Sequence, residues 1–173
     1  MDLEGLAQHR GSLYGGIGLK PNSQKKFENL LLTELERLNS EEFIFIEGES
    51  RKIGDCQMPD FLYKAMVNGK HILVKRSMPE RIKAMVEEYF RDDKAVEEIK
   101  ITTQRLWKVI SNKKKEELLR DLEQKDYFAA GKIFLEDYYD LLYTNTLKKR
   151  NYIFEVENDD LEKAKGEIVR LIQ

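Results

Sequence analysis

The chain has 173 residues, enough for one domain with a hydrophobic core; 36% of them are charged, with a formal net charge of −2. Its longest apolar run is far shorter than the ~20 residues that cross a bilayer, and its acidic start has no apolar leader. The single cysteine excludes an intramolecular disulfide and a multi-thiolate metal site. We therefore expect a cytoplasmic, folded protein that makes no membrane contact.

The first half of the chain predicts short elements joined by loops, since all three prolines and eight of the ten glycines lie before residue 80. Residues 5–22 are glycine-rich and predict a loop. Ser23 precedes a helix over 24–38, in which Phe27 and several leucines recur at helical spacing. The apolar run 43–46 predicts a strand that is buried on both faces.

Two further apolar runs, 71–74 and 152–156, predict strands of the same kind. Helices are predicted over 59–67 and from the capping box Ser77-Met78-Pro79-Glu80 onward. Two or three helical segments are predicted between 94 and 147, with breaks near Ser111 and Lys125. A last helix is predicted over 159–172, with four buried residues: Leu161, Ala164, Ile168 and Leu171. Buried strands that alternate with helices indicate a parallel α/β sheet with right-handed crossovers.

Charged side chains follow directly after the strand predicted at 43–46. Ligands bind beyond the carboxyl ends of parallel strands, and four polar residues lie there: Glu47, Glu49, Ser50 and Arg51. Carboxylates in this position hold Mg²⁺, directly or through water, beside a phosphate, or serve as a general base. The alternative is a solvated strand end with an ion pair between Glu49 and Arg51.

A second candidate is the string His9-Arg10-Gly11-Ser12, which is followed by glycines at 15, 16 and 18. Arg10 and Ser12 supply donors to an anion, and glycines let the backbone approach it closely. The alternative is a flexible surface loop. A third candidate is Lys75-Arg76-Ser77, after strand 71–74, with Arg81 one turn into the next helix. A cation there reaches a phosphate across the crevice, or the residues serve only helix capping and surface salt bridges.

Positive charge is concentrated in residues 100–125, which hold eight basic and four acidic side chains. Within this segment Lys113-Lys114-Lys115 is either a solvated helix start or a contact to an RNA backbone. A later stripe of aromatic residues favours core packing over base stacking: Phe128, Phe134, Tyr138, Tyr139 and Tyr143. Cys56 has no clear activating neighbour and is expected to be inert.

Taken in order, these motifs resemble the P-loop domain of tRNA 2-selenouridine synthase. The strings that carry the resemblance are Asp2-Leu3-Glu4-Gly5-Leu6-Ala7, His9-Arg10-Gly11-Ser12, Gln24 with Phe27-Glu28-Asn29, the segment from Phe45 to Gly54, Glu80-Arg81, Glu88-Tyr89, and Asp137-Tyr138-Tyr139-Asp140 with Tyr143. They run over nearly the whole chain.

The resemblance implies an incomplete P-loop NTPase-like parallel sheet flanked by helices, within a single partial domain, 1–173. Residues 1–93 and 150–173 would form its α/β part, and 94–149 a mostly helical insertion. Such enzymes replace sulfur by selenium in the wobble 2-thiouridine of tRNA, with selenophosphate as donor and a geranylated intermediate made from geranyl diphosphate. The residues that would bind the tRNA backbone are Arg105, Lys108, Lys113, Lys114 and Lys115.

Two features of the resembling family have no counterpart in this sequence: the phosphate-binding string G-x-x-x-x-G-K-[ST] and the rhodanese-like domain. We therefore expect the chain to be inactive without those parts, which a separate chain could supply. The alternatives are a non-catalytic tRNA-binding or partner module and a truncated, non-functional fragment. No residue is identified as the chemical catalyst.

Overall fold

The computed structural model describes residues 1–48, 50–105 and 110–172. These residues form two compact units, Met1–Gly69 and Lys70–Gln173. In the described ranges, no helix is both long enough and apolar enough to cross a bilayer.

The first unit consists of three helices and a small antiparallel hairpin. Its elements are α1 (Leu3–Ala7), α2 (Gln24–Arg37), β1 (Lys52–Ile53), β2 (Cys56–Gln57) and α3 (Asp60–Asn68). The prediction of a helix over 24–38 is confirmed: the Ser23 side chain accepts from the backbone N–H of Lys26, and Phe27 and Leu31 are buried. The core of this unit comprises Leu3, Ala7, Phe27, Leu31, Ile53, Cys56, Met58, Leu62 and Met66.

Helix α1 lies in a region where only a loop was predicted. The Asp2 side chain caps it by accepting from the backbone N–H of Gly5 at 2.6 Å, and Leu3 and Ala7 are completely buried one turn apart. Five residues are too few to show helical periodicity, so the sequence did not predict this helix.

The prediction of a buried strand over 43–46 is wrong. These residues form neither a helix nor a strand, and Phe43, Ile44 and Phe45 are 48%, 42% and 49% exposed. Only Ile46 packs against the core of the first unit. A strand needs a neighbour for its backbone groups, and within the described residues none pairs with this segment.

The second unit combines one parallel strand pair with helices. Its elements are β3 (His71–Lys75), α4 (Met78–Tyr89), α5 (Asp93–Gln104), α6 (Asn112–Glu123), α7 (Tyr127–Phe134), a π-helical turn (Leu135–Tyr139), α8 (Asp140–Leu147), β4 (Tyr152–Glu157) and α9 (Leu161–Ile172). The predicted strands 71–74 and 152–156 are confirmed and lie side by side in parallel. The predicted breaks near Ser111 and Lys125 are confirmed as well.

The α/β class is confirmed, but the predicted burial of the strands is wrong. In β3 no residue is buried and Val74 is 49% exposed, while β4 buries only Val156. The last helix was expected to bury Leu161 and Leu171, which are 69% and 49% exposed. In the described part of the chain the sheet has two strands, too few to cover these apolar faces as a larger parallel sheet does.

The predicted capping box at the start of α4 is replaced by a contact between strand ends. Ser77 is the N-cap and Pro79 lies in the first turn, as expected, but the Ser77 side chain makes no capping hydrogen bond. Its backbone N–H donates to Asp159 Oδ1 at 2.7 Å instead. With the bond from Asn158 N to Lys75 O at 2.7 Å, this contact ties together the carboxyl ends of β3 and β4.

Candidate functional site

His9 lies in a slot formed by glycines after helix α1. A Cβ added at Gly54 would come within 2.5 Å of the His9 ring, and one at Gly15 within 2.7 Å. Gly54 also has a φ of +57°, which favours glycine, in the two-residue turn between β1 and β2. The ring is thus held between the early loop and the hairpin of the first unit.

Burial lowers the pKa of His9 below its ordinary value of 6.5; nearby Asp55 opposes this shift and Arg10 adds to it. The ring is therefore neutral at physiological pH. Its Nδ1 accepts from the backbone N–H of Gly11 at 3.2 Å, which assigns the ring proton to Nε2. His9 acts here as a fixed element of the loop.

The polar groups of the His9 loop bond largely within the loop. Arg10 Nη1 donates to the carbonyl of Ile17 at 3.1 Å, and Ser12 Oγ accepts from the backbone N–H of Tyr14 at 3.2 Å. Gly11 has a φ of +67°. The loop is therefore a closed turn shaped by these residues, and a phosphate contact by Arg10 or Ser12 would come in addition to these bonds.

Glu47 and the His9 loop contact the same residue of α1. The backbone N–H of Glu4 donates to Glu47 Oε1 at 3.0 Å, and the carbonyl of Glu4 accepts from the backbone N–H of His9 at 3.1 Å. Because the N and O atoms of one residue are at most about 4 Å apart, the Glu47 carboxylate lies within about 10 Å of the His9 backbone. The structure thus brings Glu47, of the first candidate group, close to the backbone of the second.

The residues after Glu47 face different partners. Ser50 Oγ donates to the carbonyl of Lys52 at 2.5 Å, and Arg51 forms an exposed ion pair with Asp60 at the start of α3. Glu49, and with it the alternative ion pair to Arg51, lies outside the described residues. The Arg51 guanidinium is therefore directed to α3.

Among its described residues, the first unit has at least two open depressions. One, of about 430 Å³, is lined by Met1, Asp2, Phe45, Ile46 and Glu47; the other, of about 370 Å³, by Gln8, Lys20, Pro21, Asn22, Ser23 and Lys26. Neither of the two is lined by both Glu47 and His9. Sequence reasoning missed Lys20 and Lys26, whose signal is that they flank the N-cap of α2. Two cations beside a helix N-terminus favour an anion.

Arg81 belongs to the second unit, where it forms a bidentate ion pair with Asp140 at the start of α8. Its Nη1 and Nη2 donate to the two carboxylate oxygens at 3.1 and 2.5 Å, and both side chains are about one third exposed. The Tyr89 and Tyr139 hydroxyls, 3.3 Å apart, make a second link between α4 and the π-helical turn. Arg81 thus orients α8.

The lysines predicted to contact RNA lie in the first turn of α6. Lys114 ion-pairs with Glu117 at 3.1 Å and Asp137 at 3.7 Å, and the hydrogen bond to Glu117 raises its pKa. In the described ranges, Lys113 and Lys115 make no ion pair. Positive charge at a helix N-terminus opposes the helix dipole, so Lys113 and Lys115 do not stabilise the helix.

The other predicted tRNA-binding residues lie before that helix. Arg105 is exposed and ends α5, and Lys108 lies outside the described residues.

The described carboxylates and histidines show what kind of metal site the chain can form. Within residues 1–48, 50–105 and 110–172, no three His, Cys, Asp or Glu side chains cluster closely enough to share a metal ion. Mg²⁺ beside a phosphate needs only one or two carboxylates, since waters and phosphate oxygens complete its shell. Glu47 fits that smaller requirement, because the bond to Glu4 uses Oε1 of its two oxygens.

Comparison with known proteins identifies the family of this chain. Residues 1–123 match the family model described as the tRNA 2-selenouridine synthase AAA domain. The match covers most of the chain and includes the His9 loop and the Glu47 segment. The chain therefore belongs to the tRNA 2-selenouridine synthase family.

Curated relatives carry the same name but are much longer. A tRNA 2-selenouridine synthase of Nitrosomonas europaea is 37% identical over 92 residues, which is 51% of this chain and 24% of that protein. One of Salmonella schwarzengrund is 40% identical over 94 residues, or 52% of this chain and 26% of that protein. The matched region spans about a quarter of these relatives. No solved structure matches the chain.

Proposed function

We propose that this chain is a component of a cytoplasmic enzyme that replaces sulfur by selenium in the wobble 2-thiouridine of tRNA. Family membership over residues 1–123 and the names of the curated relatives support this activity. Because the match covers about a quarter of those relatives, the chain acts together with a phosphate-binding P-loop segment and a rhodanese-like domain. These parts are carried by the same polypeptide or by a separate chain.

The proposed substrates besides tRNA are geranyl diphosphate and selenophosphate. Both are anions, and the first unit offers a carboxylate for a Mg²⁺ shell and a basic loop for phosphate oxygens. The observation that carries this assignment is the shared contact to Glu4, which holds Glu47 within about 10 Å of the His9 backbone. Glu47 and Glu49 would hold Mg²⁺ through its waters, as carboxylates near phosphates do.

The roles of the remaining residues follow from the charge that develops during transfer. When the thiouridine sulfur takes the geranyl carbon, the diphosphate leaves with additional negative charge. Cations and donors fixed beside that group stabilise the transition state more than the ground state. We assign this role to Arg10 and Ser12, with Gly11 letting the backbone approach and His9 holding the loop. Arg51 and Ser50, which bond to Asp60 and Lys52, receive no direct role.

The test reconstitutes the enzyme from two parts. The 173-residue chain is co-expressed with the unmatched part of the Nitrosomonas europaea relative, and geranylated 2-thiouridine and 2-selenouridine in digested tRNA are measured by mass spectrometry. We expect Glu47→Gln and Glu49→Gln each to lower product formation roughly 10- to 100-fold, the usual cost of disturbing a metal shell. Glu41→Gln, which removes an exposed carboxylate nearby, is the matched control.

Three outcomes separate the functions that the sequence left open. Product that depends on Glu47 and Glu49 supports the enzyme component. Salt-sensitive tRNA binding with no product, unchanged by either substitution, would assign a non-catalytic binding module instead. Absence of both product and tRNA binding would identify a non-functional fragment.

A further inference from the structure

A pair of stacked tyrosines, a half-buried Tyr139 and an exposed Tyr143, lies at the end of the π-helical turn of the second unit. The rings of Tyr139 and Tyr143 lie 5.9 Å apart between centroids and 11° from parallel, and Tyr143 is 40% exposed. Behind them, Tyr138 is buried and meets Tyr139 edge-on at 5.2 Å. The aromatic stripe thus belongs to the core at one end and to the surface at the other. The sequence had favoured core packing for the whole stripe.

Two contacts fix the position of this pair. Asp140, three residues before Tyr143 and on the same face of α8, holds Arg81, and the hydroxyl of Tyr139 meets that of Tyr89. Such a pre-positioned ring loses little conformational freedom when a ligand stacks on it. π-Helical turns are rare in proteins and often lie at functional sites.

Positive charge lies against the π-helical turn, on the side that Asp137 faces. The ion pair between Lys114 and Asp137 places the first turn of α6, with Lys113 and Lys115, against the π-helical turn. Tyr143 lies six residues beyond Asp137, about 9 Å along the helix. Aromatic rings next to basic side chains are the combination with which proteins bind single-stranded nucleic acid.

We propose that Tyr143 stacks on an unpaired base of single-stranded RNA while Lys113 and Lys115 contact its phosphates. This inference rests on the proposed function, in which that RNA is tRNA, and it adds the residues that hold an unstacked loop base. Every base has a π face, so the contact tolerates sequence and depends on the ring. The neighbouring Leu141, 61% exposed, offers apolar area without a π face.

The occupant is RNA because of the lysines in the first turn of α6, which lies against the π-helical turn. Protein partners seated on exposed leucines and a tyrosine would need no lysines beside them, and the cores of protein interfaces are depleted in lysine. A phosphate backbone instead releases counterions when lysines bind it, which makes the binding salt-dependent. Lys113 and Lys115 therefore decide between the two kinds of partner.

The test measures binding of the 173-residue chain to a synthetic tRNA anticodon stem-loop by fluorescence anisotropy. We expect Tyr143→Leu to weaken binding by roughly 5-fold or more, since loss of one base–aromatic stack has at least that effect. Tyr143→Phe keeps the ring and binds like the natural chain, and Leu141→Ala is the matched control. Lys113→Gln combined with Lys115→Gln lowers both the affinity and its dependence on salt.

Photocrosslinking of the bound stem-loop, followed by mass spectrometry, is the second readout and places a loop base on the peptide that contains Tyr143. Stem-loop binding by Tyr143→Leu as tight as that of Tyr143→Phe would overturn this inference and leave the proposed function standing. Failure of the natural chain to bind the stem-loop would overturn this inference, and product formation in the reconstituted enzyme then decides the proposed function separately.

Discussion

The contact between His9 and Gly54 gives a sharp test of how the first unit is built. In Gly54→Ala the new methyl group would stand 2.5 Å from Cγ of the His9 ring, on a residue whose φ is +57°. The left-handed backbone costs an alanine about 1–2 kcal/mol. The clash of the methyl group with the packed ring adds about 1–3 kcal/mol to the loss of folding stability.

Removing the ring separates the two costs. In a His9→Ala background the methyl group meets no imidazole, so Gly54→Ala should cost only the backbone strain of about 1–2 kcal/mol. The difference between the two backgrounds, about 1–3 kcal/mol, is the coupling energy of the pair.

Hydrogen exchange in peptides from residues 1–69, measured along a urea series, reports the stability of the first unit by itself. Gly166→Ala in α9, where a Cβ would meet nothing within 4 Å, is the control and should stabilise its helix slightly. An equal cost of Gly54→Ala with and without His9 would refute the packing of the ring in this slot.

Two further predictions concern pH. Because the folded pKa of His9 lies below 6.5, the stability that its neutral ring contributes is present above pH 6.5 and lost as pH falls through the folded pKa. Hydrogen exchange in residues 1–69 should therefore rise as the pH falls. His9→Gln should remove this pH dependence of exchange. The backbone hydrogen bond from Ser77 lowers the pKa of Asp159, so the stability that this carboxylate contributes is present above pH 3.8 and lost as pH falls through the folded pKa. Exchange near residues 75–80 should become insensitive to acid in Asp159→Asn; persistence of the acid transition would contradict the role of this contact.

The sequence predicted those elements whose signals are local. Ser23 and the spacing of Phe27 and Leu31 specify α2, and Ser111 and Lys125 mark the breaks between helices, because caps and periodicity act within a few residues. The predictions that were wrong concern which side chains are buried. The run 43–46 has the composition of a strand, but pairing depends on a neighbour, which composition does not reveal.

In the candidate site too, local signals were predicted from the sequence and long-range contacts were not. Motif strings located Glu47 and the His9 loop, and the structure joins them through Glu4, a residue no motif singled out for that contact. The Ser77 hydrogen bond to Asp159, 82 residues away, could not be read from the local capping pattern. Side-chain partners at long sequence separation are set by tertiary packing, so sequence alone gives the residue types without their partners.

The measurement that tests the central claim most directly is calorimetric binding of geranyl diphosphate, with Mg²⁺, to the reconstituted enzyme. The claim is that Glu47 and the His9 loop serve one phosphate-bearing ligand. It predicts that Glu47→Gln and Arg10→Gln each weaken binding, that the double variant loses less than the two effects added, and that Lys25→Gln, an exposed cation on α2, changes nothing. Additive losses, or binding that ignores one of the two substitutions, would contradict it.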